Sequence, residues 1–254
     1  MFKNLTLKTS VIQAFCFAAS GAVSGFAMVT LLSKGLTSTQ VGILLAVSGA
    51  MAAVIQPLLG AWADKSEKVS PRLLLIAIVS SIIVLLLAFI FLPSNLLLMS
   101  LIYGIASALL LSLQPLINSL VFEYIDSGHP VNFGIGRGVG SLAYALSSFA
   151  LGALLNIYKP SIIPYVAVIT LIFLLLSILA MPVPPKKTRL ENKPEEAQEI
   201  QNSDAFGFIK KYQHFLFFLL GIVFIFIFQS LSNGYLLQIL RHVGGNDSDL
   251  GTTL

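Results

Sequence analysis

A single arginine stands inside a stretch otherwise suited to lipid. Arg137 lies in Asn132-Phe-Gly-Ile-Gly-Arg-Gly-Val-Gly-Ser141, near the start of an apolar run that extends to about Ile157. A guanidinium in hydrocarbon costs about 3 kcal/mol or more unless it snorkels, pairs, or faces an aqueous cavity. Two readings follow. Either Arg137 forks onto the oxygens of a solute or onto a carboxylate, or it reaches back to the headgroups at the membrane surface. Tyr144 follows seven residues later and projects from almost the same helical face. A cationic fork and a ring on one face suit a polyhydroxylated ring, whose hydroxyls bond while its apolar face stacks. The other reading packs Tyr144 against a neighbouring helix.

Amides extend the polar set. Gln114 and Asn118 lie one turn apart on one face of another apolar run, which also carries Tyr103 and ends at Glu123. They either line a cavity or bond across to a neighbouring helix. Glu123 either pairs with Arg137 or faces water. Gln13, Phe17, Ser20 and Ser24 decorate the first run, where Gly21 and Gly25 form a packing edge. Gln229, Asn233 and Gln238 mark the last. Each feature is weak alone, but together they argue for a hydrated interior.

Gly134, Gly136, Gly138 and Gly140 invite a nucleotide-binding reading, which fails. A G-x-G-x-x-G turn needs a third glycine where Val139 or Ser141 stands, and no strand precedes it. On a helix the four form the pairs 134/138 and 136/140 on nearly opposite faces, which suits close helix packing. The lone cysteine, Cys16, excludes an intrachain disulfide and a thiolate cluster. His129, His214 and His242 are too scattered in sequence to signal a metal site. No H-E-x-x-H, G-x-S-x-G or pair of facing aspartates is present, so no catalytic residue, cofactor or metal is expected.

The elements that position these residues are set by composition. Of 254 residues, 56% are apolar and 10% charged, and the mean hydropathy is +0.90. A soluble domain carries roughly 25% charge. The chain is therefore expected to be an all-α, polytopic membrane protein. Its formal charge of +4 does not point to nucleic acid, because most charges lie in short segments between apolar runs. Seven stretches are long enough to cross a bilayer, at about 9–32, 39–62, 73–92, 96–122, 132–157, 161–180 and 214–240. The first is too long for a signal peptide and lacks a cleavage site. Pro57, Pro115 and Pro164 are tolerated in bundled spans.

Lysines and arginines fall eleven to three in favour of the side that holds the N-terminus, which places that terminus and the long linker in the cytoplasm. The linker breaks the chain into a six-helix bundle at 1–181, a tether at 182–213, and a seventh span with the start of an eighth at 214–254. A short amphipathic helix at 195–208 and a mobile tether are both open readings of that linker. Seven spans leave the second unit incomplete, so the chain is expected to continue beyond Leu254.

Between the second and third spans lies Gly60-Ala-Trp-Ala-Asp64-Lys65-Ser-Glu-Lys68-Val-Ser-Pro-Arg72. Composition alone makes it a basic turn. Gly60-x-x-x-Asp64-Lys65 resembles the loop motif of the major facilitator superfamily, although Glu67 replaces a glycine and the basic residues are displaced to Lys68 and Arg72. That resemblance implies an inward-gate role for Gly60, Asp64, Lys65 and Arg72. Within the superfamily, 132–146 is similar to the fifth helix of the oligosaccharide–proton symporters, the lactose permease group. The likeness puts Arg137 on the arginine that binds sugar hydroxyls and Tyr144 on the ring that stacks on the sugar. Asn118 falls near the position of that arginine's carboxylate partner.

The resemblance implies a secondary transporter in the cell membrane, moving a sugar or oligosaccharide with protons by alternating access. Arg137, Tyr144, Asn118 and Gln114 would bind the solute, and a second bundle would be needed for flux. The alternatives are a nucleoside, an organic acid or a drug as cargo, or a truncated membrane protein that transports nothing.

Overall fold

The computed structural model describes residues 4–65, 70–92, 95–183 and 212–254. The side chains of Asp64 and Lys65 and the amphipathic segment expected at 195–208 lie outside the described residues. Described residues are helical or in turns, with no strand among them. The helices are α1 (Leu5–Ser20), α2 (Ala27–Ser33), α3 (Ser38–Lys65), α4 (Pro71–Phe91), α5 (Leu96–Leu111), α6 (Leu113–Asp126), α7 (Phe133–Leu155), α8 (Ile163–Leu179), α9 (Gln213–His242) and α10 (Leu250–Thr253). Taking α1 and α2 as one broken span and α5 with α6 as another, seven helical stretches are long and apolar enough to cross a membrane. The protein is an all-helical, multi-pass membrane protein.

The first span forms the middle of the bundle. Ile12, Cys16, Ala19, Ala22, Val23, Phe26 and Leu31 are all at most 1% exposed. It does not run straight. Gly21–Gly25 form a π turn, closed by the Phe26 amide donating to the Gly21 carbonyl at 3.1 Å, and α2 leaves at 46° to the helix before it. Glycine at both ends weakens the regular helix there. A wide turn also offsets carbonyls from their usual donors. Tyr103 of α5 reaches this turn, its hydroxyl donating to the Val23 carbonyl at 2.6 Å.

The fourth span breaks for a different reason. Pro115 has no amide hydrogen, so the Leu111 carbonyl four residues earlier loses its helical donor. Gln56 of α3 supplies one, its Nε2 donating to the Leu111 carbonyl at 3.1 Å. The helix resumes as α6, which carries Gln114 and Asn118.

At the end of the bundle near Leu5, the carbonyls that close α8 are met by side chains from three other spans. Arg72 donates to the Ile178 carbonyl at 3.2 Å and the Leu179 carbonyl at 2.8 Å. Lys8 donates to the Ala180 carbonyl at 3.3 Å, and the Tyr124 hydroxyl donates to the Pro182 carbonyl. Cations suit this place because a helix C-terminus leaves carbonyls unpaired and carries partial negative charge.

Helix α9 is different. From His214 to Ser230 every described side chain but that of Ile222 is exposed. Its described packing against the six-span bundle lies towards its far end, where Leu237 is buried. There a Cβ on Gly42 would lie 2.7 Å from the Tyr235 hydroxyl oxygen. Just beyond, α10 seats on α7. A Cβ on Gly152 would lie 2.5 Å from the Ser248 carbonyl oxygen and 2.9 Å from the Gly251 Cα, so only glycine permits this approach.

Candidate solute-binding face

The site begins with the seam between α1 and α7. Gln13, Phe17 and Gly21 recur every fourth residue on α1 and share one face. On α7, Gly136 and Gly140 are buried against it. A Cβ on Gly136 would make ordinary contact with Gln13 and Ser10, whereas one on Gly140 would strike the Phe17 ring at 2.7 Å. Of the two expected glycine pairs, 136/140 carries the packing. Gly138 faces open space, and the nearest atom to a Cβ on Gly134 would be its own cap, Asn132. That cap fixes where α7 begins, and hence where Arg137 lies: the Asn132 side chain accepts from the Ile135 amide at 3.0 Å, while its backbone amide donates to Thr6 Oγ1 at 3.1 Å.

Gln13 is 1% exposed, so its amide must find partners inside the protein. It does so on α6. Gln114 Nε2 donates to Gln13 Oε1 at 2.9 Å and to Asn118 Oδ1 at 3.2 Å. Gln13 Nε2 completes the ring by donating to Asn118 Oδ1 at 3.4 Å, and the Cys16 thiol lies 3.9 Å from Gln114 Oε1. The amides thus make an interhelical network. Gln114 and Asn118 remain half-buried, and the Asn118 Nδ2 group donates to no described residue. The structure thus shows these amides bonding across helices, as one of their two readings held.

Arg137 is exposed, with its guanidinium carbon 4.9 Å from the centre of the Phe17 ring. A cation over an aromatic face gains about 0.5–2 kcal/mol, depending on desolvation. Among the described residues, no carboxylate stands within ion-pair distance of Arg137; the ion pair present joins Arg241 and Asp247 at 2.7 Å. Tyr144 is half-buried and lies over the π turn, its hydroxyl oxygen 3.0 Å from where a Cβ on Gly25 would be. It packs on α1, as one of its two readings held, with part of the ring accessible. Arg137 and Tyr144 thus meet the same helix two turns apart.

A groove of about 850 Å³ between the starts of α1 and α7 is apart from this set. Its lining includes Leu7, Val11, Phe15, Ile135 and Val139 and none of Gln114, Asn118, Arg137 or Tyr144.

Residues 6–254, nearly the whole chain, match the MFS_1 like family. The chain belongs to that family. That family is one of transporters and not of enzymes. No curated protein matches it by sequence. Two solved structures share its fold, both of the nucleoside transporter NupG, one with a point substitution. The substituted form aligns with a TM-score of 0.74 at 17% identity, covering 94% of this chain and 58% of that one. The other aligns at 0.73 and 17% identity, covering 93% and 58%. The chain therefore spans little more than half the length of these transporters.

Of the expected gating residues, Gly60 is half-buried with open space at its Cα. The structure brings Arg72 onto the end of α8 through the two hydrogen bonds above, within the same bundle. Sequence reasoning gave Gln13 and Phe17 only as lining and gave Cys16 no role at the site. Their spacing marked one face of α1, but no pattern within α1 says that this face meets both α6 and α7.

Proposed function

We propose that this chain is part of a secondary transporter that carries a small polar solute across the membrane by alternating access. The solute would lie against α1, α6 and α7, held by Arg137 and Tyr144, with Asn118 and Gln114 as auxiliaries. The observation that carries this reading is the arginine itself: an exposed guanidinium backed by an aromatic ring of α1, the helix whose Gln13 is bonded to Gln114 and Asn118, in an otherwise apolar bundle. A donor-rich face next to rings suits a solute with many oxygen acceptors and a flat apolar surface. A sugar or oligosaccharide meets that description, and protons are the proposed coupling ion, by the resemblance of 132–146 to the oligosaccharide symporters. A nucleoside meets it too, and the fold shared with NupG favours it as the second reading.

The bundle at 1–181 would rock against a second bundle that begins at 214, across the linker at 182–213. Substrate would bind between the two, so flux requires the second half. The lysine and arginine distribution supports an N-terminus in the cytoplasm, which makes the Gly152–Gly251 and Gly42–Tyr235 contacts the outward closure. Gly60, Asp64, Lys65 and Arg72 would act at the inward gate.

The test is uptake of a radiolabelled disaccharide and a radiolabelled nucleoside by cells making the protein with its second bundle. Arg137→Ala and Arg137→Lys should each lower saturable uptake at least about tenfold, as expected for a lost charge-assisted contact, while surface expression stays near that of the parent. Unchanged uptake kinetics would remove Arg137 from the binding site.

A further inference from the structure

An arginine that binds a solute must be held in place without its donors being used up. Carboxylate partners do the first at the expense of the second, because a bidentate pair occupies two N–H groups and cancels the charge. Arg137 has no such partner among the described residues; what it has is the Phe17 ring, 4.9 Å from its guanidinium carbon.

The ring is itself fixed. Gly140 follows Arg137 by three residues, on the same side of α7, and the ring edge packs so closely on it that a Cβ there would lie 2.7 Å from Phe17 Cδ2 and 3.0 Å from Cε2. One turn back along α1, Gln13 is locked to α6 by its hydrogen bonds. Backbone contact on one side and an amide network on the other leave the ring little freedom. We propose that Phe17 is the positioning residue for Arg137: its ring face, seated on Gly140, replaces a carboxylate and holds the guanidinium with its N–H donors free for a solute rich in oxygen acceptors. The face of an aromatic ring attracts a cation through its quadrupole and takes no hydrogen bond. The site thus keeps both its full charge and its fork. This inference rests on Arg137 being a solute-binding residue, but its first test does not.

The chain has four arginines, at 72, 137, 189 and 241, so arginine-labelled protein in detergent micelles gives few Nε–H signals. The Arg137 signal is identified by its loss in Arg137→Lys. A proton held over a ring face is shielded, so this signal should lie upfield of the other three. It should join them in Phe17→Leu and stay upfield in Phe17→Trp. If Phe17→Leu does not fold, 4-cyanophenylalanine and 4-methylphenylalanine at position 17 replace it. The first, with its depleted ring face, should release the guanidinium; the second should not. An Arg137 signal among the others in the parent protein, or one indifferent to these changes, overturns the proposal.

The second test is uptake with the second bundle present. Phe17→Leu should raise KM for whichever of the disaccharide and the nucleoside is carried by about tenfold, with kcat little changed, and Phe17→Trp should restore it. An upfield Arg137 signal with unaltered KM would leave the contact standing but overturn its role in positioning for solute.

Discussion

The first and seventh spans are both long apolar helices, yet the protein treats them in opposite ways. The first is buried on most sides, bent by a π turn, and bonded to α5, α6 and α7 through polar side chains. The seventh, α9, leaves every described side chain from His214 to Ser230 exposed but that of Ile222. Hydrophobicity therefore says that a segment enters the membrane, but not what covers it there. In lipid, apolar surface gains little by meeting other apolar surface. Position in the bundle is set by small residues and by hydrogen bonds. The first span has Gly21, Gly25 and Gln13 facing small or polar partners on α6 and α7. The seventh has Gln229 and Asn233 exposed, which is in keeping with the second bundle proposed for α9.

That contrast gives graded expectations. The largest effect is expected at the seam between α1 and α7. Gly140→Leu would drive a branched side chain into the Phe17 ring and should destabilise the bundle by about 3 kcal/mol, seen as loss of monodisperse protein on size-exclusion chromatography of detergent extracts. Recovery of normal amounts of folded protein would mean that the seam is looser than the structure shows. Gln13→Leu comes next. It removes an acceptor from Gln114 and leaves a half-buried amide short of a partner, at about 1–3 kcal/mol, read as a lower melting temperature in the same detergent. Tyr103→Phe strips the Val23 carbonyl of its side-chain donor and should lower stability by about 1 kcal/mol. It tests whether the bend in the first span is held from outside; an unchanged melting temperature would say that the π turn holds itself. The smallest effect is expected on α9. No atom lies within 4 Å of a Cβ on Gly221, so Gly221→Leu should change the stability of this chain by less than about 0.5 kcal/mol. The same substitution should matter more once the second bundle is present. Equal sensitivity of Gly140 and Gly221 would erase the distinction between the two spans.

Much of this organisation was legible in the residues, and the shortfalls have physical causes. Long apolar runs bounded by charge or turn residues gave all seven spans. The break in the fourth span was not read from Pro115, because Pro57 lies inside the unbroken α3, and the donor at the break, Gln56, sits on another helix where no local pattern reveals it. The bend of the first span was hidden because Gly21 and Gly25 read equally well as a packing edge, and they are that too, against Ser147, Ser148 and Tyr144. Within the candidate site, Gln114 and Asn118 could be paired by their spacing alone. Their partner on α1 could not, since an amide facing inward looks the same in sequence as one facing water. Arg137 was conspicuous for its charge, while Phe17 was one of eighteen phenylalanines and carried no mark of its own.

Ser141 offers the most direct test of the claim that solute lies on this face. It is exposed on α7, one turn beyond Arg137 and just before Tyr144, and its hydroxyl bonds only to the Arg137 carbonyl. The one native cysteine, Cys16, is buried, so Ser141→Cys creates the reactive thiol in the described bundle. Alkylation by N-ethylmaleimide should be followed in membranes containing the protein with its second bundle, with and without a saturating concentration of whichever of the disaccharide and the nucleoside is transported. Solute should slow alkylation at 141 severalfold, and Arg137→Ala should abolish the protection. Alkylation indifferent to a solute that the same membranes still take up would place binding elsewhere and contradict the account.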